Sequence, residues 1–515
     1  MGDTILAYDL GTGGNKASLF DSEGGLLATS FVSYETIYPA AGWHEQRPDD
    51  WWRAIVESTR QLLAARPGVA SSIAAIGISG HSLGVVPISD RGELLRETTP
   101  IWSDTRAEAE VDRFFERMDR ARWYLTTGNG FPPACYSVFK LMWYTKHEPE
   151  MMARVYQAIG TKDYINLRLT GRVATDYSYA SGSGVFNLAE WRYSEELISA
   201  SDLPRRLFPE PSASTEVIGV LTGDAAELLG LRSGTPVVGG GVDNSCMALG
   251  AGNIEDGRLY TSLGSSSWIA VSSRKPLLDP VKKPFVFAHV VPELYTSAVS
   301  IFAAGSSFRW IRDNLLCFDG VREELYPMMT RMAAESPPGA NGLLFNPSLA
   351  GGSSQEPSPH IRGAFAGIDL RHTRNDLVRA AMEGIALNLG VVLEVLRSLT
   401  SLRDEVLFVG GGSKSRLWRQ IFADVFRMKI VKTSIDQETA SLGAAALAAV
   451  GIGMWRDFEM IDRIHKVEAV AEPDPTAAAL YRKLLPAFEL LRTSQAELAE
   501  KLRDLDLPTS TRAGS

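Results

Sequence analysis

Two aspartates occur where short apolar runs meet glycine-rich turns. Asp9 lies in ILAYDLGTGGNK, and Asp243 follows three glycines in VVGGGVDNSCM. Either carboxylate could simply cap a turn. Phosphoryl transfer, however, needs a carboxylate near a magnesium ion and a base for the attacking hydroxyl. The two positions therefore suggest Asp9 beside Mg²⁺ and Asp243 as a catalytic base.

Three glycine-rich stretches could bind phosphate oxygens. In DLGTGGNK, residues 9–16, glycines allow backbone N–H groups to converge, while Thr12 adds a hydroxyl and Lys16 a cation. SLGSSS at 262–267 repeats this composition, and GGGSKS at 410–415 joins a strand to a helix start that attracts negative charge. Each alone could be a tight turn, but the set predicts a nucleotide held between two domains.

A further group of side chains could hold a polar substrate. His81 and Ser82 follow the buried-strand pattern AAIGISG, and IWSDTRA supplies Trp102 and Asp104. A carboxylate, an imidazole and an indole face suit a sugar, because they offer hydrogen bonds to hydroxyls and a surface for stacking. The alternative for IWSDTRA is a capped helix start.

The strands and helices that must position these residues belong to an α/β fold. ILAYDLGTGGNKASLF and RLYTSLGSSSWIAVS share one layout: an apolar strand, a turn of small residues and a returning strand. A chain of 515 residues is too long for one ordinary core. We predict two related domains, 1–252 for the sugar and the first phosphate hairpin and 253–480 for the nucleotide, followed by a helix and polar tail at 481–515.

Composition excludes several classes of function. The net charge of −9 is spread along the chain without a basic stripe, so neither nucleic acid nor a membrane surface is an expected partner. Strand-like ILAYDLG begins close to Met1, which leads us to expect no signal peptide. Cys135, Cys246 and Cys317 lack CxxC spacing, which favours a reducing compartment and predicts a cytoplasmic location.

Over nearly its whole length the chain resembles the FGGY carbohydrate kinases. The stretches that carry the resemblance, besides those quoted above, are CYSVFKLMW, GGVDN, GAFAGIDLRHTRNDLVRAAME, GGGSKSRLWRQIFAD and ETASLGAAALA. The resemblance implies two actin-like (ribonuclease H-like) α/β domains around an interdomain cleft. It also implies ATP-dependent, Mg²⁺-assisted phosphorylation of a sugar or polyol hydroxyl.

The resemblance assigns roles residue by residue. It places the catalytic base at Asp243 and the magnesium-associated carboxylate at Asp9. It implies that the nucleotide and its phosphates are bound by Thr12, Gly13, Lys16, Ser265, Gly305, Gly411, Gly412 and Ser415. It implies that the sugar is bound by His81, Ser82, Leu83, Trp102, Asp104 and Asn244.

Within the family, the length and the stretches WHEQRPDDWW, HEPE and TKDYINLRLTG are most similar to xylulokinases. That likeness implies D-xylulose as substrate and a possible homodimer. The stretch His81–Gly84 departs from the xylulokinase pattern, so another ketopentose, a pentitol or a linear autoinducer-type pentane derivative stays open. A different class, an actin-like ATPase or nucleotide-gated binding protein, would use the same hairpins without phosphorylating a small molecule.

Overall fold

The computed structural model describes residues 3–316, 322–353, 355–503 and 505. The chain forms two units. Unit 1 consists of Met1–Arg258, Val271–Ser297 and Gln437–Lys466, and unit 2 of Leu259–Ala270, Ala298–Asp436 and Val467–Ser515. Both units combine strands and helices, which confirms the predicted α/β class. The predicted boundaries at 252 and 480 stay a prediction.

The strands in chain order are β1 Thr4–Gly11, β2 Gly14–Asp21, β3 Leu26–Ser33, β4 Glu45–Gln46, β5 Ile73–Gly80, β6 Val86–Ile88, β7 Thr99–Pro100, β8 Gln157–Ile159, β9 Thr175–Asp176, β10 Phe186–Asn187, β11 Arg192–Tyr193, β12 Pro211–Ser212, β13 Val217–Val220, β14 Pro236–Val238, β15 Gly241–Val242, β16 Leu259–Leu263, β17 Ser267–Ser273, β18 Phe285–Ala288, β19 Tyr295–Ile301, β20 Leu344–Asn346, β21 Ala364–Ala366, β22 Glu405–Val409, β23 Lys429–Thr433 and β24 Val467–Ala471.

The α-helices are α1 Pro48–Ala65, α2 Glu108–Phe115, α3 Arg120–Thr127, α4 Ser137–His147, α5 Pro149–Met152, α6 Thr161–Thr170, α7 Tyr177–Ser181, α8 Glu195–Ser201, α9 Gly223–Leu229, α10 Asp243–Gly250, α11 Gly305–Trp310, α12 Arg322–Glu335, α13 Arg374–Leu399, α14 Arg416–Phe426, α15 Thr439–Gly451, α16 Met460–Ile464 and α17 Pro475–Arg503. In the described part of the chain, none of the helices combines the length and apolarity needed to cross a bilayer.

Unit 1 is built on a mixed sheet in the order β13-β14-β5-β1-β2-β3, with β15 pairing the last residues of β5. β1 runs parallel to β5 and forms an antiparallel hairpin with β2, as the sequence predicts. Nearly every residue of β1 is buried, because the sheet is covered on both faces. The carboxyl ends of β1, β5 and β15 therefore lie side by side at one edge of the sheet.

Helices cover the two faces of this sheet in different ways. On one face α1 packs against β2 and β3, and the Tyr8 hydroxyl of β1 hydrogen-bonds the Thr59 hydroxyl of α1 at 2.6 Å. On the other face the alanine-rich α15 packs against β1 and β5. The approach is so close that a Cβ on Gly77 of β5 would lie 2.1 Å from the carbonyl oxygen of Ala444.

Helix α10, which begins at Asp243, is fixed by close contact with α15. A Cβ on Gly250 of α10 would lie 1.8 Å from the Thr439 carbonyl oxygen. A Cβ on Gly443 of α15 would lie 2.0 Å from the Cys246 carbonyl oxygen. Only glycine fits at these two crossing points, so the pair of helices has one tight arrangement that sets the position of α10.

Unit 2 contains the sheet segment β16-β22-β23-β24, in which β16, β22 and β23 are parallel and β24 is antiparallel to β23. The long helix α13 packs against α12, α14 and α17. Its N-terminus is a capping box formed by Thr373 and Asp376. Buried Glu383 accepts hydrogen bonds from Arg379 at 2.5 Å and from the Tyr481 hydroxyl at 2.6 Å, which joins α13 to α17.

Candidate active site

Asp9 and Asp243 lie at the carboxyl ends of neighbouring strands of unit 1. Ser79 of β5 pairs with Asp9 of β1 on one side and with Gly241 of β15 on the other. The Ser79 hydroxyl donates to an oxygen of Asp9 at 3.0 Å. Asp243 follows β15 directly as the first residue of α10. The sheet therefore brings together two carboxylates that are separated by more than 230 positions in sequence.

The two carboxylates are coupled electrostatically. Partial burial and the negative charge of Asp9 raise the pKa of Asp243 to about 7, against a smaller opposing effect of the Asn244 amide, which donates to it at 2.8 Å. Burial also raises the pKa of Asp9, and the charge of Lys16 opposes that effect. At neutral pH Asp243 is poised between its protonated and ionised forms, as a general base requires.

Tyr34 is a neighbour of this pair that the sequence reasoning missed. Its buried hydroxyl donates to the carbonyl oxygen of Gly11 at 2.5 Å. Burial, followed by the negative charges of Asp9 and Asp243, raises the pKa of Tyr34 well above its usual value. A neutral phenol thus supports the end of β1, and no motif in the sequence marks it.

The first predicted phosphate hairpin is a tight β1–β2 turn with an exposed tip at Thr12 and Gly13. Lys16 lies opposite Asp9 in the β1–β2 ladder and donates to the Gln437 carbonyl oxygen at 2.8 Å. The Thr12 hydroxyl accepts a hydrogen bond from the Trp102 indole at 2.9 Å. A residue predicted to bind phosphate and one predicted to bind sugar are therefore in direct contact.

The six residues predicted to hold the sugar differ strongly in exposure. Trp102 is 36% exposed and Asn244 is partly exposed, so both can reach a ligand in solution. Ser82 is 9% exposed, whereas His81 and Leu83 are each 1% exposed. The predicted contacts of the sugar with these buried side chains stay predictions.

Buried His81 is an uncharged residue of the interior. Its Nδ1 lies 3.1 Å from the Thr161 hydroxyl, and its ring packs edge-to-face on Trp51 with centroids 5.4 Å apart. Burial and the positive charge of Lys140 lower the pKa of His81 to about 3. The imidazole is therefore neutral at every pH at which the protein would work.

Leu83 has a φ of 61°, which is rare for a residue with a bulky side chain. The fully buried ammonium of Lys140 donates to the carbonyl oxygens of Leu83 at 3.0 Å and of Ile101 at 2.7 Å. Lys140 thus ties the turn after β5 to the segment that carries Trp102. Sequence analysis placed Lys140 within CYSVFKLMW but gave it no role.

Asp104 is fully buried, and its carboxylate is engaged within the protein. It pairs with Arg106 through bonds of 2.9 and 2.7 Å and accepts the His44 amide at 2.7 Å. Arg106 also pairs with Glu45 at 2.7 Å and lies over the Trp43 ring. The nearest helix begins at Glu108, so IWSDTRA is an ion-paired loop rather than a capped helix start.

Unit 2 contains a cavity of about 680 Å³ that gathers every nucleotide residue predicted from this part of the chain. Its lining includes Ser265, Gly305, Gly411, Gly412 and Ser415. The GGGSKS stretch joins β22 to α14 as predicted, and the Ser415 hydroxyl caps α14 by accepting the Trp418 amide at 3.2 Å. Backbone N–H groups at a helix start suit a phosphate.

Aromatic side chains form a second part of this lining that the sequence analysis did not identify. Phe308 contacts both Tyr326, with ring centroids 6.0 Å apart, and Trp418, with centroids 4.9 Å apart. All three line the cavity. The apolar wall suits the base of a nucleotide, and the glycines and the helix N-terminus beside it suit the phosphates.

Replacing Gly411 by Val is expected to raise KM for ATP about tenfold or more, with a melting temperature close to wild type. A Cβ at Gly411 has no atom within 4 Å, so a side chain there fits the fold and occupies the cavity. Steady-state kinetics at varied ATP, with thermal unfolding alongside, measures both effects.

The matched control is Gly223→Val. Gly223 is exposed at the start of α9, and a Cβ added there would likewise have no atom within 4 Å. This variant should keep the wild-type KM for ATP. An unchanged KM in Gly411→Val would contradict the assignment of the cavity to the nucleotide.

A magnesium ion needs few protein ligands here. Within the described ranges, no three His, Cys, Asp or Glu side chains cluster as a metal site. Mg²⁺ is commonly held by one or two carboxylates together with waters and substrate phosphates. The partly exposed carboxylate of Asp9, next to the exposed hairpin tip, fits that kind of site.

The carboxylate pair at the strand ends of unit 1 and the glycine-lined cavity of unit 2 are features that a nucleotide-dependent phosphotransferase would need. Profiles of the N-terminal and C-terminal domains of the FGGY family of carbohydrate kinases match residues 4–250 and 259–452. The chain belongs to the FGGY family of carbohydrate kinases.

Individual relatives agree with this assignment. The chain is 30% identical to a xylulose kinase of Staphylococcus epidermidis over 97% of this chain and 98% of the relative. It is 28% identical to a gluconokinase of Bacillus licheniformis over 95% of each. The chain is also similar to the crystal structure of ligand-bound xylulose kinase from Lactobacillus acidophilus, with a TM-score of 0.89 and 27% identity. The match covers 97% of this chain and 100% of the xylulose kinase chain.

These comparisons confirm the predicted family and the actin-like fold. They also decide between the two classes of function in favour of the kinase over an actin-like ATPase. The protein is an ATP-dependent phosphotransferase with a sugar hydroxyl as acceptor. Xylulose kinases and gluconokinases both occur among the relatives, so the choice of sugar is a separate question.

Proposed function

We propose that the protein transfers the γ-phosphoryl group of ATP to a primary hydroxyl of D-xylulose, forming xylulose 5-phosphate, with Asp243 as the base. The observation that carries the catalytic part is the pKa of Asp243, which partial burial and Asp9 raise to about 7. A carboxylate with an ordinary pKa would accept a hydroxyl proton less well, since proton transfer works best when the pKa of the base is near the working pH.

In this mechanism the ionised Asp243 accepts the hydroxyl proton as the sugar oxygen attacks the γ-phosphorus in line and ADP leaves. Positioning and charge neutralisation contribute most of the rate in phosphoryl transfer. The base adds about 10²–10⁴-fold. We assign the orientation of the sugar to Asn244 and Trp102, which are both accessible, and to Ser82, which is 9% exposed.

We assign the magnesium ion to Asp9, phosphate contacts to Thr12, Gly13 and Lys16 together with Ser265, and the nucleotide to the cavity of unit 2. When bound, the metal ion neutralises charge that develops on the phosphates. The Ser79 hydroxyl, which donates to Asp9, orients that carboxylate at the strand end. Ser265, Gly305, Gly411, Gly412 and Ser415 would contact the nucleotide through the cavity lining.

D-xylulose is supported as substrate by the full-length likeness to a protein named xylulose kinase. A second candidate, gluconate, is supported by the likeness to a gluconokinase. Gluconate carries a carboxylate that would gain from a free cation. Lys140 and Arg106, two buried cations near the predicted sugar residues, already have protein acceptors, which favours an uncharged sugar.

The proposal is tested by ADP release, coupled to NADH oxidation, with a panel of acceptors. The panel contains D-xylulose, D-ribulose, xylitol, a linear pentane derivative and D-gluconate. We expect D-xylulose to give the highest kcat/KM and no ADP release without an acceptor. A higher kcat/KM for gluconate or for a pentitol would overturn the substrate, and acceptor-independent hydrolysis would contradict the kinase mechanism.

We also expect a cytoplasmic location and a homodimer. The location is supported by cysteine usage: Cys135 and Cys246 are buried free thiols, while Cys317 lies outside the described residues. The homodimer is expected from the family resemblance, and light scattering of the purified protein measures it.

A further inference from the structure

A buried ion-pair cluster lies directly behind the segment that carries Asp243. The Lys162 ammonium lies 2.5 Å from a carboxylate oxygen of Asp163 and 2.9 Å from one of Asp176. All three side chains are at most 1% exposed. Burial would lower the pKa of Lys162, but the two carboxylates outweigh it and raise that pKa, so the lysine is charged.

This cluster holds the backbone of residues 239–242 at two points. The Gly239 carbonyl oxygen accepts hydrogen bonds from the Lys162 ammonium at 3.2 Å and from the Asn166 amide at 2.9 Å. At the other end, the Val242 N–H donates to the Ser178 hydroxyl at 2.9 Å. Ser178 in turn donates to Asp176 at 2.5 Å. Val242 is the residue immediately before Asp243.

The segment has little stiffness of its own, although the N–H groups of Gly239 and Gly240 also donate to the carbonyl oxygens of Glu216 and Ser214 at 2.9 and 3.0 Å. It contains three consecutive glycines, and Gly240 has a φ of 69° in the left-handed region. Its pairing with the sheet is confined to Gly241 and Val242, opposite Ser79 and Gly80. A buried ion pair is costly to desolvate and is weak evidence for stability, so a role in fixing one geometry accounts better for its presence.

We propose that Lys162, Asp176 and Ser178 form a positioning device that fixes Val242 and thereby aims the Asp243 carboxylate at the substrate hydroxyl. Ser178 is the positioning residue in contact with the strand, and Asp176 holds its hydroxyl in the orientation that accepts the Val242 N–H. This inference rests on the role of Asp243 as base proposed above. It adds a structural explanation for the position and orientation of the Asp243 side chain.

The test is Ser178→Ala, which removes one hydroxyl from an otherwise intact buried site. A displacement of about 1 Å at a reacting group can cost about 100-fold in rate. We expect kcat to fall about tenfold or more, with KM for ATP and for the sugar within about twofold of wild type. Ser214→Ala, which removes another hydroxyl bond to Asp176, should give a smaller loss of kcat in the same pattern.

Ser201→Ala is the matched control. Ser201 is also buried, its hydroxyl donates to the Ile198 carbonyl at 2.7 Å, and it accepts the Leu203 N–H at 3.3 Å, but it lies on α8, away from β15 in the chain. This variant should keep wild-type kcat. The positioning role is overturned if Ser178→Ala has the same kcat as Ser201→Ala. It is also overturned if Ser178→Ala lowers kcat and raises KM for both ATP and the sugar.

An Asp243→Asn enzyme assayed alongside separates the two hypotheses. An inactive Asp243→Asn with a fully active Ser178→Ala would refute the positioning role and leave the base in place. A nearly wild-type Asp243→Asn would refute the base itself, whatever Ser178→Ala does.

Discussion

Replacing Asp243 by Asn should lower kcat by about 10²–10⁴-fold, the usual contribution of a positioned general base. Asn is similar in size and shape to Asp but cannot accept the hydroxyl proton. The free energy of unfolding should be unchanged or higher at pH 8. An acid whose pKa is raised by folding is destabilising when ionised, and at pH 8 the folded-state Asp243, with a pKa of about 7, is ionised.

The measurement is kcat from coupled ADP release, with thermal unfolding at the same pH. Asp224→Asn is the matched control. Asp224, like Asp243, lies in the first turn of a short helix of unit 1, but its side chain is exposed on α9. It should retain wild-type kcat. An Asp243→Asn enzyme that keeps more than about a tenth of wild-type kcat would refute the assignment of the base.

The second large effect concerns pH. Because Asp243 must be ionised to accept a proton, kcat/KM for the sugar should fall on the acid side with a midpoint near 7. For one titrating group, the ionised fraction falls about 50-fold between pH 7 and pH 5. The enzyme should therefore lose roughly that factor in kcat/KM, and it should recover fully when returned to pH 8.

Asp9→Asn tests the cause of this pH dependence. Removing the negative charge of Asp9 removes one of the two effects that raise the pKa of Asp243, so the acid limb should move to lower pH. The variant will also be slower, because Asp9 is assigned to the metal ion, but the midpoint is independent of the absolute rate. If the acid-side midpoint of the kcat/KM profile is unchanged in Asp9→Asn, then Asp9 does not set the pKa of Asp243.

The glycine-rich turns that carry the candidate site could be predicted because they are local. A glycine-rich turn after an apolar strand can be recognised without any tertiary contact, and β1, β2, β16 and β17 form the predicted hairpins. Parallel strands align their carboxyl ends, and β1 and β15 both run parallel to β5. The turns were therefore within reach of the sequence, whereas the approach of Asp9 to Asp243 is a tertiary contact that the fold reveals.

Other features depend on tertiary contacts that spacing does not encode. Phe308, Tyr326 and Trp418 look like ordinary core residues in the sequence, and only the fold brings them around one cavity. The ion pairs of Asp104 with Arg106 and of Lys162 with Asp176 are not marked by any motif or spacing in the sequence. Asp376 and Glu383, part of the longest family motif, are engaged in a helix cap and a helix–helix contact.

The inclusion of residues 437–466 in unit 1 has a consequence for biosynthesis. Helix α15 covers β1 and β5 and holds α10 through its glycine contacts, yet it is made after most of unit 2. While the ribosome is still translating unit 2, one face of the first sheet has no cover. The first unit therefore completes its core only after residues 437–466 have been synthesised, so its folding is not finished domain by domain along the chain.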